Sequence, residues 1–278
     1  MEANRNAHKV ALMCRLYGVT RAGYYAWRAR GDGARANENA DLAERIRAVH
    51  RRSRHTYGSP RVYQALRRQG CGAGENRIAR VMRKHGIKAR VATIRYTNPT
   101  LKRFFAGASN EQLGMELNGP DQVWVGDITY LKVGGIYRYL AVVMDKYSRR
   151  IVGWAYGHRK DVVLTLRALN RAVRYRKPAR GLIFHTDRGI EYAAGAFKAR
   201  LTELGITQSM NRPGKVTDNA YIESFFHSMK SEMYHGLRFD EDRQIKTALR
   251  DYMPFYNRGR LHSSLNYVSP ATYEKLLA

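Results

Sequence analysis

The sequence has little cysteine and little acid. Cys14 and Cys71 are its two cysteines in 278 residues, too few and too far apart for a disulfide framework or a four-ligand zinc site. Two reduced thiols in a cytosolic chain are the expectation. Aspartate and glutamate number 23 against 50 lysines and arginines, a formal net charge of +27, which is more than solubility needs and marks chains that meet polyanions. No apolar run reaches membrane-spanning length, and the basic residues are spread along the chain instead of gathered beside an anchor. Nucleic acid is therefore the expected partner, with no membrane. Met1 to Lys9 is polar without a long apolar stretch, which argues against a secretory leader. The sequence shows no internal repeat, low-complexity tract or sustained heptad, which speaks against a solenoid, a disordered tract or a coiled coil.

Forty-four per cent hydrophobic residues can fill one large core with a satellite domain, or two modest cores. Val10 to Arg30 reads as a helix, a turn at Gly18 and a second helix capped by Thr20. That is the outline of a helix-turn-helix, and equally of any small helical hairpin. Gly31 to Asn37 reads as a linker, so residues 1–36 form an N-terminal hairpin and linker. Leu42, Ile46 and Val49 follow an Asp41 cap at helical spacing; Ser59-Pro60 opens a second helix that stops at Gly70, and Glu75 to Gly86 makes a third. Residues 37–90 thus read as a helical DNA-binding module with Arg61, Arg77, Arg80, Arg83 and Lys84 as contacts. The plainer alternative is a solvated basic face on a structural bundle. Residues 91–118 read as a connector, in which Lys102 and Arg103 beside Phe104 and Phe105 suit a phosphate backbone.

Past Gly119 the pattern becomes β-rich. Gln122 to Lys132, Tyr137 to Asp145 and Arg150 to Tyr156 predict a three-stranded meander. A helix over 161–175, a strand at Gly181 to Thr186, a helix over 193–204 and a short strand at 205–210 follow. The loop from Asn211 then leads to a helix carrying Glu223, a further helix is predicted over 240–256, and Ser269-Pro270 caps a final short one. The order describes an α/β domain with a mixed sheet covered by helices, spanning residues 119–278.

Three acids stand out. Asp127 lies inside an apolar strand, Asp187 directly follows another, and Glu223 borders the apolar arc of a helix whose Ile222, Phe225, Phe226 and Met229 share one side. Singly, each reads as a surface acid or an arginine partner. Jointly they suit phosphodiester chemistry, in which hard divalent cations take a few carboxylates and activate the attacking oxygen. His185 shares a strand face with Asp187 and is expected as a site neighbour. Asn219 and Lys230, on the arc of Glu223, are expected to bind phosphates, as are Arg212 and Lys215 in the preceding loop, with a plain solvated lysine as the equal alternative for Lys230.

The runs Asp127-Ile-Thr-Tyr130, His185 to Tyr192, Asp218 to Lys230 and Tyr256 to Leu265 followed by Ser269-Pro270 resemble the second-reading-frame transposase of the third insertion-sequence family, and Tyr57 to Val62 resembles its helical module. The resemblance implies a retroviral-integrase-like core of ribonuclease H-like fold. It further implies an Asp, Asp, Glu triad at Asp127, Asp187 and Glu223 holding Mg²⁺ or Mn²⁺, as two ions, with Lys230 at the lysine seven residues on. No zinc domain is carried over. DNA at element ends and target, a homo-oligomer, an upstream-frame partner or fusion, and a bacterial cytoplasmic location at the nucleoid are the expected context. Two alternatives stay open: a nuclease or resolvase that cuts without joining, and a DNA-binding regulator without metal.

Overall fold

The computed structural model describes residues 1–29, 34–90, 109–112, 114–212 and 216–277. The chain divides into two units, one from Met1–Arg52 and Gly58–Lys88, the other from Ser53–Tyr57 and Ala89–Ala278.

The first unit holds α1 (Val10–Leu16), α2 (Arg21–Ala29), α3 (Ala34–Arg52), α4 (Ser59–Arg67) and α5 (Glu75–Lys84). The Thr20 hydroxyl accepts the Gly23 N–H at 3.0 Å, as an N-cap does. Two boundaries differ from the sequence pattern. Helix α3 begins at Ala34, so Asp41 lies inside it and part of the expected linker is helical; past Gly33 the alanines, arginines and glutamate favour continuation and nothing stops it. Gly58, not Ser59, occupies the cap of α4. Ile46, Val62, Leu66 and Ile78 are fully buried where α3, α4 and α5 pack together.

The second unit is built on a five-stranded sheet: β1 (Val123–Val133), β2 (Ile136–Asp145), β3 (Ile151–Gly157), β4 (Ile183–Thr186) and β5 (Thr207–Met210). The order is β3-β2-β1-β4-β5. The first three strands are antiparallel, and β4 and β5 run parallel to β1. This is the ribonuclease H-like arrangement. Helices α6 (Val162–Arg176), α7 (Ile190–Ala193), α8 (Gly195–Glu203), α9 (Ala220–Met229), α10 (Asp242–Pro254) and α11 (Pro270–Lys275) cover it.

Strand alternation sorts the core into two layers. Val123, Val125, Leu131 and Val133 pack with Ile222, Phe225, Phe226 and Met229 of α9 and with α10. Trp124 and Phe184 face the opposite way, towards α6 and α8. Contact there is close: a Cβ on Gly153 would lie 2.4 Å from the Ala168 carbonyl oxygen, so β3 accepts α6 only with glycine.

Helix α9 continues as a wider turn, Lys230–Tyr234, and α10 as another, Phe255–Gly259. Arg260 ties the two together. Its guanidinium reaches both oxygens of Glu232 at 2.9 and 3.0 Å and the Ser228 hydroxyl at 3.1 Å, while Tyr252 donates to Glu232 at 2.8 Å. Glu232 and Arg260 are both buried, so the pair fixes the end of the helix that carries Glu223. Ser269 caps α11, as the Ser-Pro pair predicts. Glu274 of α11 then accepts from Arg176 at 2.9 Å and Ser148 at 2.8 Å, fastening the last helix to the unit.

One feature of the sheet positions the site. Strand β4 ends at Thr186, opposite Gly126, so among the described residues β1 has no strand partner on that side from Asp127 onward. Such an edge must satisfy its backbone otherwise. Ile128 N–H is taken by the carboxylate of Asp127 at 2.7 Å, and Lys132 N–H and C=O by the Tyr234 hydroxyl at 2.6 and 3.0 Å. The notch lies at the carboxyl end of β4, where the sheet changes from antiparallel to parallel, a common place for ligands in open sheets.

Candidate active site

Three separate elements supply the acids of the notch. Asp127 comes from β1 at the point where β4 stops. Asp187 follows β4 directly, and its carboxylate accepts the Gly189 N–H at 3.1 Å, a local turn that launches α7. Glu223 lies in the first turn of α9, where the helix dipole favours negative charge. All three are half-buried.

Their electrostatics are linked. Asp127 is held well above the usual carboxylate range by burial first, then by the charge of Asp187, with a further push from Glu223; its bond from Ile128 and the charge of Lys160 oppose this. Burial raises Asp187, with Glu191 adding to the shift and Lys160 and the Gly189 amide opposing it. Glu223 is raised by burial and then by Asp187. Among the described residues, no three of His, Cys, Asp and Glu are gathered closely enough to enclose an ion as they stand. The donors nevertheless fit a hard divalent cation, because all three are carboxylate oxygens, the ligand type such ions take, and a bound dication would favour the charged form that burial opposes.

The other expected residues meet different fates. His185 is fully buried, with Nδ1 2.8 Å from the Ser209 hydroxyl and Nε2 2.7 Å from Asn211 Oδ1. Burial lowers its pKa to about 4, against a partial offset from Asn211. Both nitrogens are thus committed to bolting β4 to β5 and its continuation, leaving none for water or phosphate. Asn219 is 1% exposed and directs its amide at the Gly126 carbonyl, 3.5 Å away. That seats α9 on β1 and is not a DNA-facing position. Lys230 is half-buried with its ammonium 4.6 Å from the Tyr130 ring centre; burial lowers it and the charge of Asp127 opposes the shift. It stands beside the site.

Arg212 forks onto Asp218 at 2.9 and 3.1 Å, and Asp218 is lowered to about 2, chiefly by that bond. Arg77 is likewise engaged within its own bundle, with Asn39 at 3.0 Å and Glu38 at 2.8 Å. These two arginines are clamps in this structure, not uncommitted phosphate ligands. Arg61 is half-buried and engaged within the protein, whereas Arg80, Arg83 and Lys84 are exposed. Lys102, Arg103 and Lys215 fall outside the described residues. The sequence reading missed Lys160 and Glu191, which pair at 3.2 Å and act electrostatically on Asp187. Glu191 sits four residues after Asp187 in the same motif, a signal available in the sequence; Lys160 had none.

Family models described as an integrase core domain match residues 118–216 and 204–270, and one described as an HTH-like domain matches 36–95. The transposase InsF for insertion sequence IS3A of Escherichia coli K12 is 34% identical over 280 residues, covering 99% of this chain and 96% of its own length. The chain belongs to the IS3 transposase family. A 31 kDa protein of insertion element IS600 from Shigella sonnei is 33% identical, covering 95% of this chain and 97% of its own. Among solved structures, the HTLV-2 integrase catalytic core domain in complex with magnesium covers 56% of this chain and 98% of itself at 16% identity, with a TM-score of 0.47; an overlap that loose decides nothing about chemistry. Within this IS3-family transposase, the first integrase-core match contains Asp127 and Asp187 and the second contains Glu223.

Proposed function

We propose that this transposase cuts DNA at the ends of an insertion sequence and joins the freed 3′ ends to target DNA, using Asp127, Asp187 and Glu223 as metal ligands. One observation carries the assignment of residues: three carboxylates from β1, the end of β4 and the start of α9 lie within one another's field at the notch where β1 loses its partner strand. Two Mg²⁺ or Mn²⁺ ions, when bound, supply an activated water or 3′-hydroxyl and stabilise charge at the phosphorus.

The protein's own groups do the rest. Asp127 is fixed by its bond from Ile128, Asp187 by its bond from Gly189, and Glu223 by the buried apolar face of α9. Lys230, beside Asp127, offers a cation to the phosphate backbone of the bound strand. Strand joining exchanges one phosphodiester for another, so no nucleotide cofactor is needed. The partners are DNA ends and target, further copies of the chain that pair two ends, and an upstream-frame segment supplying additional DNA recognition. The setting is the bacterial cytoplasm, at the nucleoid when bound.

A labelled end-sequence duplex incubated with the protein and Mn²⁺ tests the reading. Joined products are expected. Nicks without joining would indicate a nuclease or resolvase, and shifted but intact DNA a regulator; either result overturns the proposal.

A further inference from the structure

Glu191 is the least explained charged group near the notch. It is 5% exposed. Its Oε1 pairs with Lys160 at 3.2 Å, and its Oε2 has no hydrogen-bond partner among the described residues. A buried carboxylate oxygen left unpaired is costly, since it has given up water for nothing. Its position suggests the use. A Cβ built on Gly189 would lie 2.6 Å from Glu191 Oε2 and 3.1 Å from Asp187 Oδ1, so the two oxygens flank a single point and face the same space. Lys160, paired with Glu191, also acts through its charge on Asp127 and Asp187.

We infer that Glu191 is a positioning residue of the metal centre, its free oxygen accepting a hydrogen bond from water bound to the ion that Asp187 holds, while Lys160 pins its other oxygen. The inference rests on the proposed role of Asp187 as a ligand. Lys160 holds Glu191 so that Oε2, and not Oε1, is presented towards Asp187. The pair also explains the glycine at 189, where any side chain would enter the space between the two carboxylates.

The test is Mn²⁺ binding by the full-length protein without DNA, followed by calorimetry and by the electron paramagnetic resonance of free Mn²⁺. Glu191→Gln keeps the shape of the side chain and removes its charge. Groups that support a metal ligand change affinity by about 10- to 100-fold when altered, so the Mn²⁺ Kd of this variant is expected to rise about tenfold. A purely structural ion pair would lower the melting temperature and leave Kd alone, and that result overturns the inference. Should Glu191→Gln unfold, Glu191→Asp retains the charge but withdraws the oxygen by one methylene; weaker binding supports the inference and an unchanged Kd overturns it. Asp187→Asn separates the two levels. If it loses Mn²⁺ while both Glu191 variants retain it, the inference alone fails. If the wild type binds no Mn²⁺, or Asp187→Asn binds it normally, the ligand assignment fails and the inference falls with it.

Discussion

Replacing Gly189 by alanine adds one methyl group at the point where two carboxylates meet. Its φ is −72°, an ordinary value for any residue, so the backbone is not strained by the change. The new Cβ would lie 2.6 Å from Glu191 Oε2, 3.1 Å from Asp187 Oδ1 and 3.3 Å from the Tyr192 ring, whereas ordinary contact begins at 3.4 Å. Tyr192 is buried, so the carboxylates must yield by several tenths of an ångström. Overpacking of this kind costs about 1–3 kcal/mol, and misplacing a reacting group by about 1 Å costs on the order of 10²-fold in rate. Gly189→Ala is therefore expected to melt several degrees lower and, because Asp187 Oδ1 need yield only a few tenths of an ångström, to cleave an end duplex roughly 3- to 10-fold more slowly in single-turnover assays with saturating protein and Mn²⁺. Gly195→Ala is the control, because nothing lies within 4 Å of its Cβ; it should change neither property. A lowered melting point with a wild-type cleavage rate in Gly189→Ala would show that the Asp187 carboxylate is not part of the reacting centre.

Three further outcomes are expected. Glu232→Gln strips the counter-charge from Arg260, which is 4% exposed, and should cost about 3–5 kcal/mol in urea unfolding; a loss below about 1 kcal/mol would mean the pair does not hold α9. The pKa of His185 is depressed to about 4 from an ordinary 6.5, so its contribution to stability is intact above pH 6.5 and is lost as pH falls towards 4; an NMR titration midpoint near 6.5 would contradict its burial between Ser209 and Asn211. DNA affinity should fall steeply and linearly in a log–log plot against salt, as phosphate contacts release counterions, and a flat response would remove the exposed Arg80, Arg83 and Lys84 from the DNA surface.

What the sequence made legible is what short-range pattern encodes. The β-rich run Gln122 to Lys132 marked β1, observed as Val123–Val133, and the spacing of Ile222, Phe225, Phe226 and Met229 marked the buried face of α9. The Ser269-Pro270 cap was local as well. Pairings across distance were not legible. Alternation set His185 on the side of Asp187, but β4 ends at Thr186, and only the arrival of β5 beside it shows that Ser209 and Asn211 consume both nitrogens of His185. Arg77 and Arg212 looked available because Glu38 and Asp218 become their partners only on folding. Asn219 follows the helical arc of Glu223, yet its position at the start of α9 turns it onto Gly126 and buries it. Lys160 and Glu191 lie 31 residues apart in the sequence and meet only on folding.

The central claim is that Asp127, Asp187 and Glu223 act together as the metal-binding and catalytic carboxylates. The direct test is Mn²⁺-dependent cleavage and joining of an end duplex by Asp127→Asn, Asp187→Asn and Glu223→Gln, each first shown to be folded and to bind that DNA as the wild type does. All three should lose both reactions while retaining DNA binding. Wild-type cleavage by any one of them would contradict the claim.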